Sequence, residues 1–228
     1  MPSNVVLGAR LLVDSGAFTE LERHGRYRHS VDDYAAQLRR LWLSGAARIV
    51  GAVAQDYMCE PFMLAKTGLT IADHQRLTIE RYDALLVALR REFHHAPPFH
   101  VLPVIQGFGP EDYARHAVAY GERLTYGMWV GVGSVCKRQG DPKLVAAVLR
   151  AVLSVRPDLR LHGFGVKVTS LRDPDVRSML ATADSMAWSD AARKNGRNAN
   201  DWREAAAFVQ RIVRPEIAPL PLFDGVEA

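Results

Sequence analysis

The sequence predicts an α/β protein with a parallel sheet under helical cover, in the form of a (β/α)8 barrel of the TIM type. Three observations carry that expectation. Short apolar runs alternate with longer amphipathic segments along the chain, the pattern of strands joined by helical crossovers. No glycine-rich phosphate turn follows the first run, where an open doubly wound sheet would usually carry one. Polar side chains stand where several different runs end, which is how a barrel assembles a site at one face. A full barrel typically takes about 250 residues, so this one, at 228 residues, is expected to be trimmed at its N-terminus.

The expected strands are "VVLGARLLVD", "ARIVGAVAQD", "FHVLPVIQG", "MWVGVGSV", "RLHGFGVKV" and "ADSMAWS". Between them, "SVDDYAAQLRRLWLSG" reads as a helix with Ser30 as N-cap and Gly45 as its stop. "TIADHQRLTIERYDALLVALRREF" is long and amphipathic behind Thr70. "GPEDYARHAVAYGERL" and "DPKLVAAVLRAVLSV" each place Pro in a first turn. "DPDVRSMLATA" and "DWREAAAFVQRIV" complete the helices, and the tail from about 214 to 228 reads as an irregular strap. With no composition break or long linker, residues 1–228 are expected to form a single domain.

Composition narrows the function classes. With 48% hydrophobic and 24% charged residues, the chain resembles an ordinary globular protein with a sizeable core. No apolar stretch approaches the roughly 18 residues that span a bilayer, and the N-terminus lacks the layout of a signal peptide. Two cysteines, Cys59 and Cys136, make no disulfide framework, so reduced thiols and a cytoplasmic protein are expected. A net charge of +4 and a pI of about 9.2 permit an anionic partner without demanding one.

The strand ends hold the chemistry. Asp14, Asp56, Gln106, Gly133, Phe164 with Gly165, and Asp184 stand where the runs give out. Any one Asp after a strand is more often a turn former or helix cap. Their convergence on one bowl is what would make a site. Such a bowl suits a flat heterocycle attached to a sugar: Asp and Gln would pair with its edges, Phe18 and Phe164 would sandwich it, and an ionised carboxylate would attack or stabilise the anomeric carbon.

"DSGAF", "VIQG", "GFGVK" and "ADSMAWSDAARKNGRN" together resemble the tRNA-guanine transglycosylase superfamily. "QDYMCEP", "KTGLTIADHQRLTI", "GVGSVCKR" and "DSMAWS" are most similar to its DNA-modifying branch, which inserts 7-deazaguanine derivatives into DNA. The resemblance spans about residues 10–212 in order. It implies a modified eight-stranded barrel and exchange of guanine for a 7-deazaguanine such as preQ0, with no cofactor. Asp184 matches the family's nucleophile, and Asp14 the aspartate implicated in proton transfer. Phe18 and Phe164 match the residues covering the two faces of the base, and Gln106 the base-reading glutamine. Gly133 and Ser134 fall near the backbone contacts to the base, and Asp56 near the base-reading aspartate, with one extra residue before Cys59. Arg193, Lys194 and Arg197 match a basic loop suited to phosphates.

One departure is plain. The family's zinc site of three cysteines and a histidine has no counterpart: Cys59 and Cys136 stand alone, and the histidines of "FHHAPPFH" read as an exposed loop. The expectation is therefore a barrel without the zinc subdomain and without a metal. Either the barrel is reduced, or a second copy or partner subunit completes it. DNA is the favoured partner over tRNA, with a non-catalytic partner subunit and an enzyme of free deazapurine nucleosides as the other readings.

Overall fold

The computed structural model describes residues 10–134 and 141–212. The expected strap, Cys136 and the start of the first apolar run lie outside them. The described strands are β1 (Arg10–Val13), β2 (Arg48–Val53), β3 (His100–Leu102), β4 (Val104–Ile105), β5 (Trp129–Val132), β6 (Arg160–Gly163) and β7 (Leu180–Ala183). They form a three-stranded sheet, β1-β2-β3, and a four-stranded one, β4-β5-β6-β7, parallel throughout and in chain order. A (β/α)8-type barrel trimmed at its N-terminus was the expectation; among the described residues there are seven strands, in two open sheets.

The break between the sheets is one residue long. Pro103, which has no N–H to give a ladder, separates β3 from β4. The segment still serves both sides: Leu102 O accepts from Ala54 N at 3.0 Å, and Pro103 O accepts from Gly131 N at 2.9 Å. A single stretch of chain thus links β2 to β5. The combined sheet also curls. A Cβ on Gly51 of β2 would lie 2.8 Å from Leu102, 3.0 Å from Leu12 and 3.0 Å from the Trp129 ring. The same indole donates from Nε1 to Thr182 Oγ1 of β7 at 2.9 Å. One buried side chain therefore reaches both β2 and β7. The residues gathered in this layer, Leu12, Gly51, Leu102, Trp129 and Thr182, come from both sheets.

Helices cover the outside. α1 (Ala17–His24) and α2 (Val31–Leu43) follow β1; α3 (Pro61–Thr67) and α4 (Ile71–Phe93) follow β2; α5 (Pro110–Tyr120) follows β4 and α6 (Pro142–Val155) follows β5. α7 (Val168–Leu171) and α8 (Pro174–Met179) follow β6, and α9 (Ala187–Lys194) and α10 (Trp202–Ile212) follow β7. Ser30 and Thr70 each close a capping box, with Asp33 and Asp73 returning the bond; such a cap is worth about 1 kcal/mol. α2 packs on α4, and α5 on α6, over a core that includes Leu38, Leu85, Leu89, Tyr113, Leu149 and Leu161.

The last strand is not where the sequence pattern puts it. "ADSMAWS" is not a strand: Asp184–Met186 form a loop and Ala187 already begins α9. β7 lies inside the segment read as the helix "DPDVRSMLATA". α8 ends at Met179 and the strand starts at the next residue, so no turn residue separates the two patterns.

Candidate functional site

Parallel strands in chain order end on one face, and that face collects the predicted side chains. Asp14 directly follows β1 and Asp184 directly follows β7. Both reach solvent, yet enough protein surrounds them for desolvation to raise both carboxyls above the usual range. Opposing that, the amides of Ser15 and Gly16 favour ionised Asp14. The Gly165 N–H donates to Asp184 Oδ1. The negative charge of Asp14 is felt by Asp184 and raises it further. A like charge nearby disfavours the ionised form.

Gly165 can aim its N–H this way because it sits at φ 63°, a left-handed conformation that glycine adopts without a Cβ penalty. Phe164, half-buried beside it, lies across the sheet: a Cβ on Gly131 would fall 2.3 Å from its ring. Its other neighbour is His162, edge to face at 4.7 Å. Phe18 stands elsewhere, 39% exposed on α1, its ring 6.3 Å from that of Phe62.

Deeper in the bowl, Asp56, Gln106 and Ser134 form one chain of hydrogen bonds. Gln106 Nε2 donates to Asp56 Oδ2 at 2.5 Å, and Ser134 Oγ donates to Gln106 Oε1 at 2.8 Å. Gly133 makes room: a Cβ there would sit 2.1 Å from Gln106 Nε2. Ser134 holds φ 58° to close the turn. Burial, with Asp14 and Glu60 adding to it against the pull of Gln106, lifts Asp56 to about 7. The set read as recognising a base is thus self-paired, and a base would enter by exchanging these contacts.

The loop that carries Asp56 is buried over residues 54–60, so its backbone needs partners. α4 supplies them. Thr78 Oγ1 accepts from Tyr57 N at 2.9 Å, His74 Nδ1 meets Met58 O at 2.7 Å, and Arg81 donates to Gln55 at 2.6 Å. Tyr27 adds a bond from its hydroxyl to Asp56 O at 2.7 Å. The main chain of Gln106 is clamped likewise: its N–H donates to His116 Nδ1 at 2.8 Å, and its carbonyl accepts from Gln75 Nε2 at 2.8 Å. Burial holds His116 down at about 4, hence neutral, as an acceptor must be.

The basic segment differs from an open loop. Arg193 and Lys194 end α9. Lys194 pairs with Asp190 at 2.7 Å, and Arg197 with Glu204 at 2.5 Å. Arg193 is exposed and makes no ion pair among the described residues. His94, His95 and His100 are exposed, as read. Among the described residues no group of three or more His, Cys, Asp or Glu side chains is placed to hold a metal ion. A cleft of about 490 Å³ beside the β1 loop, lined by Ser15, Gly16, Tyr34, Arg40 and Gln55 among others, includes none of the three carboxylates and is a separate feature.

Several contributors carry no strand-end signal in the sequence. Glu60 is 3% exposed and raises both Asp56 and the Cys59 thiol. Tyr27 comes from the segment between α1 and α2, and Gln75, His116 and His162 from helix and strand interiors. No helix among the described residues is long and apolar enough to cross a membrane. Residues 4–208 match the family model described as DpdA, DeoxyPurine in DNA protein A. No curated protein matches the chain.

Proposed function

The chain belongs to the DpdA family, DeoxyPurine in DNA protein A, and from that premise we propose that it exchanges guanine in DNA for a 7-deazaguanine base through a covalent aspartyl-glycosyl intermediate. The observation that carries the reading is the pairing of Asp14 and Asp184. Two solvent-reached carboxylates end β1 and β7, one close enough to raise the other, above a floor of hydrogen-bonding groups and one aromatic ring. We take the fold as a parallel barrel whose seam lies between those two strands, because the strands run in chain order and Trp129 spans from β2 to β7.

The guanosine leaves the stack, at a cost of a few kcal/mol. An oxygen of Asp184 attacks C1′ as the C1′–N9 bond breaks, and the electron pair departs on N9. Asp14, or a water beside it, supplies the proton to the leaving guanine. The Gly165 N–H fixes the direction of the carboxylate. The incoming deazaguanine then returns its N9 proton to the group that protonated guanine, Asp14 or the water beside it, and attacks C1′ through N9, expelling the Asp184 carboxylate. Two inversions give net retention. Phe164 carries the base, Phe18 closes over it from the rim, and Asp56, Gln106, Ser134 and the Gly133 backbone read its edge. Arg193 offers a contact to phosphate, whereas Lys194 and Arg197 would first exchange their carboxylate partners.

Asp184→Asn is the direct test. The substitution keeps the shape and removes the nucleophile, so labelled guanine exchange into DNA is expected to vanish while the melting temperature holds. Exchange at a substantial fraction of the wild-type rate would remove Asp184 from the mechanism. Incorporation into tRNA but not into duplex DNA would reassign the polymer.

A further inference from the structure

Three large apolar side chains at the mouth of the bowl have no part in the chemistry above. Phe62 in the first turn of α3, Phe108 between β4 and α5, and Met186 between β7 and α9 are 43%, 51% and 60% exposed. Each follows a strand end that carries a site residue: Asp56, Gln106 and Asp184 precede them in the chain. Because the strands are parallel and in order, these side chains stand along one rim. Phe18 on α1 joins Phe62 in the same arc at 6.3 Å between ring centroids. Exposed apolar surface concentrated at the entrance to a polar bowl marks a surface that something covers.

We propose that Phe62, Phe108 and Met186 are a wedge that enters the DNA stack beside the target guanosine and replaces the contacts the extruded base gives up. The inference rests on the DNA-exchange reading and names how that site opens its substrate. Asp14 and Asp184 directly follow β1 and β7, with enough protein around them to desolvate both carboxyls, so a duplex resting on the loops beyond the strand ends brings a C1′ to them by turning its nucleotide out. The nucleotides on either side then remain at rim height, where their newly exposed faces meet apolar side chains. On the β6 side of the bowl, Lys167 is exposed and makes no ion pair among the described residues. It stands two positions past the Gly165 amide that directs Asp184, where it suits the phosphate of the extruded nucleotide. Exposed apolar side chains with an exposed cation on a neighbouring strand-end loop match a polynucleotide with one base turned out, and match an apolar protein segment poorly.

The test uses the full chain and two readouts. A duplex carrying 2-aminopurine next to the target guanosine reports unstacking by its fluorescence. Exchange is measured in parallel on the matched duplex and on one whose target guanosine is held in a bulge. The wild type is expected to raise the fluorescence on binding, and the combined Phe62→Ala, Phe108→Ala, Met186→Ala variant is expected not to. The ratio of matched to bulged exchange should fall at least ~10-fold in that variant, since stacking on a side chain is worth about 1–3 kcal/mol per base and a factor of ten is about 1.4 kcal/mol. A variant that unstacks the probe as the wild type does, or whose ratio is unchanged, overturns the wedge. So does a wild type that binds the duplex with no rise in fluorescence. A wild type that unstacks the probe but exchanges no guanine in any DNA overturns the reaction and leaves the wedge standing.

Discussion

Gln106 Nε2 donates to Asp56 Oδ2 at 2.5 Å across 50 positions of sequence, and both side chains are buried. The contact favours the ionised carboxylate, but burial acts more strongly and leaves Asp56 at about 7. A carboxyl that is protonated in the folded chain and ionised in the unfolded one, whose ordinary value is 3.8, makes stability depend on pH.

The sign follows from proton counts. Between pH 4 and 7 the folded state holds a proton on Asp56 that the unfolded state has lost, so stability falls as pH rises. The contribution is fully present below about 4 and is gone above about 7, on the order of 4 kcal/mol at most. Asp56→Asn keeps the acceptor for Gln106 and cannot ionise. Urea midpoints measured from pH 4.5 to 8 are expected to decline in the wild type and to flatten in the variant. Parallel slopes would mean that Asp56 is ionised throughout.

Gly133→Ala tests the packing behind that bond. The added methyl would stand 2.1 Å from Gln106 Nε2 and 2.6 Å from its Cδ, so the amide must move and release Asp56 or Ser134. Overpacking of this kind costs about 1–3 kcal/mol, which lowers the melting temperature by several degrees in a chain of this size. A calorimetric Tm equal to that of the wild type would show that the amide yields without cost.

Asp14 and Asp184 give a third expectation. Asp14 raises Asp184 by like charge, after burial and against the Gly165 amide. In Asp14→Asn the charge is gone and the other causes remain, so the Asp184 carboxyl should titrate at lower pH. Carboxyl carbon chemical shifts followed by NMR read this directly. An unchanged titration would place the two groups too far apart to share a sugar.

The sequence announces some of this arrangement and hides the rest, for physical reasons. Asp14, Asp56 and Asp184 are legible because each ends an apolar run and polar residues recur at several such ends, which single turn formers and caps do not require. Thr70 and Ser30 are legible because a capping box is entirely local. β7 is hidden because α8 runs into it without punctuation, and Ala-Thr-Ala shows neither helical nor strand periodicity. His116 and His162 are hidden because a buried polar side chain is recognised by its partner, and those partners lie in other elements. Phe18 reads as a base platform from its place in "DSGAF", and α1 sets its ring beside that of Phe62.

Thr182 is the residue whose importance depends most on such distant partners. Its Oγ1 accepts from Trp129 Nε1 at 2.9 Å and meets His162 Nδ1 at 2.7 Å, and His162 in turn supports the Phe164 ring at 4.7 Å. Burial keeps His162 neutral, at about 4, and its Nε2 has no hydrogen-bond partner among the described residues. Thr182→Val preserves the shape and strands the indole N–H and the second ring nitrogen as well. Each buried group left unpaired costs about 1–3 kcal/mol, so the melting temperature is expected to drop by more than in Gly133→Ala. Thr182→Ser, which restores the oxygen, should recover most of the loss. Because the imidazole positions Phe164, exchange by Thr182→Val at a temperature where it remains folded should show a raised KM for the incoming base with a smaller change in kcat. A Val variant that melts at or above the Ser variant would show that the hydroxyl is not what holds this layer.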